Sequence, residues 1–270
     1  MEEAHRLARV LLVFISSPVK PGATHRLEPT REFEARLVEA LTLSKYMEEA
    51  WEKGRMLASG RIDARGVELG KLISESMVRS LEASGLEPLA GLHATAILLS
   101  AASGYLRGGE LSSGLPKALT PLLYRGGPEA AENLLEALDS AGLRELVWRL
   151  EERGITRSSV RFHSLALGDV FEALSHVDSG FWLNARTYSR VLEISSRLEG
   201  SQNLVEASVR AYLEVLKAMG VEVGVGRGFR ALVEADRKLR REGFQGWRAL
   251  GGAYSAVAIA FDKGLVAKLV

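Results

Sequence analysis

A helical period runs through nearly the whole of this 270-residue chain and leaves almost no room for a sheet. Residues 32–53 contain neither proline nor glycine, and Phe33, Leu37, Leu41, Ser44 and Met47 recur at intervals of four, four, three and three. Side chains three and four apart share one face of an α-helix. The spacing therefore predicts a long helix over 32–53, with Thr30 as its N-cap, Glu34 close to capping-box distance and Gly54 at its end. Similar patterns predict helices over 67–81, 89–106, 128–138, 144–152, 165–177, 185–198, 204–219, 229–241 and 249–269. Residues 89–106 are mostly Ala, Leu, Ile and Ser with few charges, so that helix is expected to be buried on several sides.

Between these segments the chain uses ordinary helix stops. Gly85 and Pro88 close one helix, Gly108 and Gly109 another, and a Gly/Ser/Pro-rich link is expected before Pro128. Only 221–225 reads as a strand, and it is short. No fixed-period repeat marks a solenoid. Residues 154–159 form the best internal break, yet nothing there calls for a domain boundary. The expectation is an all-α fold: a single domain over 1–270, of roughly ten helices with mostly antiparallel neighbours.

Composition narrows the function classes. The chain has 47% hydrophobic and 26% charged residues, as soluble globular proteins do. Net charge is +1 from 35 basic and 34 acidic side chains, so no general polyanion-binding surface is expected. Nucleic acid and anionic membrane are accordingly not expected as main partners, although a local basic pocket fits the same totals. There is no cysteine, which removes disulfides, thiolate zinc sites and cysteine nucleophiles. No apolar run nears the ~18 residues of a membrane span, and the 10–15 run is too short and wrongly flanked for a signal peptide. The expected location is cytoplasmic. Arginine exceeds lysine by 26 to 9.

The residues with most chemical content lie at 16–26, reading S-S-P-V-K-P-G-A-T-H-R. Two prolines bend the chain, and Gly22 permits a sharp turn or a close approach to a ligand. Lys20, His25 and Arg26 gather cations that suit a phosphate, and equally suit a plain interhelical loop with solvated charges. His93 stands in the apolar 89–106 segment, where a histidine is either a hydrogen-bonded core residue or a functional one. Asp169 and Asp178 flank the 170–177 segment. Each suits Mg²⁺ carried on a phosphate, and Asp169 after Gly168 equally suits a helix cap. His5 is expected on a solvated helix face. The G-x-G-x-G run at 224–228 lacks a βαβ setting and reads as a turn. No H-E-x-x-H, P-loop or G-x-S-x-G pattern occurs.

The run Lys20-Pro21-Gly22-Ala23-Thr24-His25-Arg26 resembles the K-P-G-x-x-H-R signature near the N-terminus of the triphosphoribosyl-dephospho-CoA synthase family, in its archaeal form. Gly91-Leu92-His93-Ala94-Thr95-Ala96-Ile97 is similar to the family's N-T-H-x-G-A-I segment in its His and its Ala-Ile pair. Val177-Asp178-Ser179 keeps the Asp and Ser of an R-D-S element, and Gly251-Gly252 keeps the glycines of G-G-S-A-D. The chain departs at Gly91, Leu92 and Thr95, and at Ala253-Tyr254-Ser255, where the family's acid is missing.

The resemblance implies a transferase that joins ribose C1 of ATP to a hydroxyl of dephospho-CoA and expels adenine, with Mg²⁺ accompanying the ATP. It implies ATP and dephospho-CoA, or a related coenzyme, as partners. On that reading Lys20, Gly22 and Arg26 bind phosphate, His25 or His93 accepts the proton, and Asp169 or Asp178 stands near Mg²⁺. Two other readings stay open: an enzyme on the same scaffold with another nucleotide or coenzyme, and a non-catalytic helical protein that binds a nucleotide or a protein.

Overall fold

The computed structural model of the chain describes residues 2–27, 30–223 and 229–266. These form thirteen α-helices and no strand: α1 (Glu2–Ser16), α2 (Arg31–Ala58), α3 (Leu69–Ser84), α4 (Ala90–Leu106), α5 (Leu111–Tyr124), α6 (Pro128–Ser140), α7 (Arg144–Glu151), α8 (Arg157–His163), α9 (Leu167–Leu174), α10 (Tyr188–Ser196), α11 (Leu204–Ala218), α12 (Phe229–Arg241) and α13 (Leu250–Asp262). The all-α class is as expected. The count exceeds the ten predicted ranges by α1, on which His5 was expected, α5 and the short α8. Among the described residues no helix is long and apolar enough to cross a membrane.

Two helices make the centre. In α4 every residue from Ala90 to Gly104 is buried, and in α13 every residue from Leu250 to Ala260. They pack on each other, α2 lies along α4, and α1 and α11 lie along α13. Low charge on all sides is what lets α4 take this place. Each of Leu92, Ile97, Leu98 and Leu99, at most 1% exposed, contributes about 1.5–3 kcal/mol over an exposed position.

Helix α2 corrects the sequence reading in two ways. It does not stop at Gly54 but continues to Ala58. A Cβ at Gly54 would run into the Ala101 carbonyl, and one at Gly104 would run into the Trp51 carbonyl. Glycine here brings two backbones together instead of ending a helix. The buried face is also not the expected one. Leu41 is 61% exposed, whereas Ala40, Leu43, Met47, Ala50 and Gly54 face α4. Thr30 caps the helix as predicted, its Oγ1 accepting from Phe33 N–H at 3.3 Å.

The expected link before Pro128 is instead α5, with Pro116 and Pro121 inside it. Pro116 is exposed and Pro121 half-buried, so carbonyls freed by the missing N–H groups can be met by water. Residues 221–223 carry no strand. The rest of that segment, and the 224–228 glycine run, lie outside the described residues.

Candidate functional site

The 16–26 bend folds inward. Lys20 is fully buried, and its Nζ donates to the carbonyls of Phe14, Ile15 and Ser17 at 3.0, 3.3 and 3.1 Å. These carbonyls lie at and just past the C-terminus of α1, and Phe14 O also accepts from Ser17 N–H at 3.3 Å, so all three ammonium protons serve the helix end. Burial pulls the Lys20 ammonium down to about 7. The carbonyls and the Phe14 ring, 5.3 Å away, favour the protonated form that donates to them.

The second half of the bend is held by C-terminal elements. Asp236 of α12 accepts from Gly22 N–H at 2.8 Å, lies 3.3 Å from His25 Nε2 and takes two 3.0 Å bonds from Arg240 Nε. Arg240 also donates to Ala23 O at 2.7 Å. Burial alone would raise the Asp236 carboxyl, but His25, Gly22 N–H and Arg240 together hold it below the usual range. Tyr212 donates to Pro21 O at 2.9 Å. Gly22 sits at φ 75°, where a Cβ would come within 2.8 Å of the Phe244 ring. His25 Nδ1 is buried without a hydrogen-bond partner among the described residues, and Arg26 is exposed. Of the three residues expected on phosphate, Gly22 and Lys20 therefore work inside the fold and only Arg26 reaches solvent.

His93 and Asp178 do come together, at the head of α4. Glu39 accepts from Leu89 N–H at 2.6 Å and from Arg36 Nη1 at 2.6 Å, and lies 2.9 Å from His93 Nε2. His93 Nδ1 is 2.7 Å from Ser76 Oγ. Burial pushes the Glu39 carboxyl upward, yet Arg36 and His93 outweigh it and hold it below the usual range. An ionised carboxylate can only accept, so His93 donates to it from Nε2, while the Ser76 hydroxyl beside Nδ1 also lies 2.8 Å from Ile73 O.

Asp178 completes the same helix start. Its carboxylate accepts from Gly91 N–H and from Gly180 N–H, the latter at 2.8 Å. Burial raises it to about 7 against those bonds and the charge of Arg248. Glycines make this approach possible: a Cβ at Gly91 would strike the Asp178 carboxylate, and one at Gly180 would strike Gly91. Thr95 Oγ1, where the resembling family has glycine, donates to Gly180 O at 2.5 Å. Two buried carboxylates thus cap the positive end of a buried helix.

A cleft of about 390 Å³ opens in front of this assembly, within the size range of small-molecule sites. Its wall holds Arg36, Glu87, Leu89 and Ala90 on one side, with Arg144, Gln245 and Trp247 facing them. Arg144 and Glu87 are exposed and form no ion pair with a described residue. His93 lies behind the wall with no exposed surface. The turn carrying Trp247 also ties the two clusters together: Gly246 N–H donates to Gly22 O at 3.2 Å, and Ser179 Oγ donates to Arg248 O at 2.8 Å.

The acids do not fit a metal centre. Asp169 closes the N-terminus of α9 by accepting from Ala166 N–H at 2.7 Å, so the capping alternative is the one the fold uses. Asp178 is bound to backbone donors, and among the described residues no three His, Asp or Glu side chains converge on a common point.

Sequence reasoning missed Glu39, Arg36, Arg144 and Trp247. The signal for the first two existed: Arg36 and Glu39 are three apart beside Ala40, Leu43 and Met47. The stripe read through Phe33, Leu37, Leu41, Ser44 and Met47 does not include them. Comparison with known proteins finds no matching family model, no matching curated protein and no matching solved structure.

Proposed function

We propose that the chain is a transferase acting on a phosphorylated nucleotide and a coenzyme-type alcohol, with the reacting groups in the cleft at the head of α4. The observation that carries this reading is the cleft wall itself. Arg36 and Arg144 offer guanidinium forks to an anion, Trp247 offers a flat apolar surface to a base, and Glu87 offers a carboxylate with no ion pair among the described residues. The resemblance of the Lys20–Arg26 and Gly91–Ile97 segments to the synthase family supplies the reaction type.

In that reaction the C1′–N9 bond of ATP breaks and adenine leaves with a proton. The acceptor oxygen bonds to C1′, and its own proton passes to a base. Glu87 takes that role, because His93 is sealed behind Arg36 and Glu39 and acts by positioning them. Magnesium enters as the counter-ion of the triphosphate, with no protein ligand assigned.

The test is adenine release. Purified protein with Mg-ATP and dephospho-CoA should liberate adenine only when both are present, with the rate falling at least tenfold in Glu87→Gln and Arg144→Ala. Folded protein that binds neither compound by calorimetry, and releases no adenine, would remove the transferase reading. ATP turnover with a different alcohol would instead select the same scaffold with another coenzyme.

A further inference from the structure

An open cavity of about 700 Å³ lies at the other end of α4, bordered by the start of α1, the last turns of α2 with the residues just after them, and the residue that ends α4. Its walls are Trp51 with Arg6, Arg55, Arg61 and Arg107, together with Glu3 and Ser59. No motif contains these residues, which are up to a hundred positions apart. Helix α4 spans 17 residues, or about 25 Å, so this cavity cannot share a ligand with the cleft at the helix head.

The guanidiniums here differ in how far they are already engaged. Glu52 pairs with Arg55 through a 2.5 Å bond to Nη2 and a 3.0 Å bond to Nε. Glu3 is held on the Trp51 indole N–H at 3.2 Å. Arg6 stacks 5.5 Å from the Phe261 centroid and acts on Asp262. Arg61 and Arg107 are exposed and form no ion pair with a described residue. The C-termini of α2 and α4 each bring roughly half a negative charge, which offsets about one of the four guanidiniums. With Asp262 counted, four cations meet three carboxylates and two helix ends, so the region is close to neutral as a whole and its available positive charge is that of Arg61 and Arg107.

Two features distinguish this from scattered surface arginines. Trp51 is half-buried, with the Arg55 guanidinium 5.8 Å from its ring centroid, so a flat hydrophobic surface stands among the cations. Arg107 occupies the left-handed position that ends α4, at φ 50°, although Gly108 and Gly109 follow directly. That backbone geometry favours glycine, and here it carries an arginine aimed at the cavity.

We propose that this pocket binds a nucleoside phosphate, its base against Trp51 and its phosphate on Arg61 and Arg107. The site is separate from the cleft and independent of whether the cleft performs transfer.

The test titrates ATP and inorganic tripolyphosphate into four proteins by calorimetry: parent, Arg61→Glu/Arg107→Glu, Trp51→Phe, and Arg144→Ala/Trp247→Phe, which disables only the cleft. ATP binding that persists in the cleft variant and weakens at least tenfold in the double charge reversal supports the pocket. Trp51→Phe should weaken ATP severalfold and leave tripolyphosphate unchanged. Unaltered ATP affinity in the double reversal overturns the proposal. Equal affinity for the two ligands, insensitive to Trp51→Phe, overturns it in favour of a phosphate-only site. Thermal melts of each variant separate lost binding from lost folding, because the charge reversals sit on exposed side chains.

Discussion

The two ends of α4 handle charge in opposite ways. At its head, Glu39 and Asp178 are buried, and each is met by backbone N–H groups or by Arg36 and His93. At its tail, Arg61 and Arg107 stand in an open cavity without ion pairs to described residues. Buried charge is tolerated only when its hydrogen bonds are complete, and then it fixes one geometry. Exposed charge left without a partner costs the fold little and can be given to a ligand. The head is therefore a scaffold that positions a cleft, and the tail is itself the binding surface.

The sharpest way to break that contrast is Glu39→Ala. It leaves Arg36, His93 and Leu89 N–H buried without their acceptor, and about 3–5 kcal/mol of stability should be lost in urea denaturation. A loss below about 1 kcal/mol, the level of ordinary surface changes, would mean that the head is not the rigid scaffold described.

Gly91→Ala comes next. Its Cβ would strike the Asp178 carboxylate, and overpacking of this kind costs about 1–3 kcal/mol. A parent-like thermal midpoint would show that the helix head yields easily.

A third prediction uses pH. Folded Asp178 keeps its proton to about 7, whereas an unfolded aspartate releases it near pH 3.9. Between those values the folded state binds more protons, so this group makes stability fall as pH rises, by at most roughly 1.4 kcal/mol per pH unit. Lys20 has the opposite sign. Folded, it loses its proton near 7, and unfolded near pH 10.4, so above neutrality it makes stability rise with pH. Denaturation from pH 4 to 10 should show the first slope flattened in Asp178→Asn and the second in Lys20→Met. Slopes identical to the parent in both variants would remove these assignments.

The smallest effect belongs to the tail. Arg107→Gly relieves a left-handed arginine and should leave stability within about 1 kcal/mol of the parent, on the favourable side. A larger loss would mean that Arg107 serves the fold and not a ligand.

How much of this was legible depended on how local the signal was. The range predicted for α12 matches the observed helix, Phe229–Arg241, because amphipathic spacing needs no knowledge of partners. The all-round burial of α4 was visible in its lack of charge. Gly54 was misread because a glycine that ends a helix and one that admits a neighbouring backbone look alike in sequence; only α4 on the other side separates them. Pro116 and Pro121 hid α5 for a related reason, since their tolerance depends on which side faces water. Lys20 and His25 were legible as a cluster, but their direction was not: the groups that turn them inward lie on α1 and α12. The tail pocket left no trace beyond an excess of arginine, as its residues come from three helices.

The clasp on the 16–26 bend also sets the order in which the molecule can be finished. Pro21 waits for Tyr212, Gly22 and His25 for Asp236, and Leu7 for Tyr254. These contacts join residues from 191 to 247 positions apart, and closing such long loops is slow. Helix α1 finds α2 directly after it in the chain, but the faces it turns to α11 and α13 wait on helices about two hundred positions away. Part of the apolar surface of α1 therefore stays uncovered until α11 and α13 have formed, and the clasp can close only after that long-range docking.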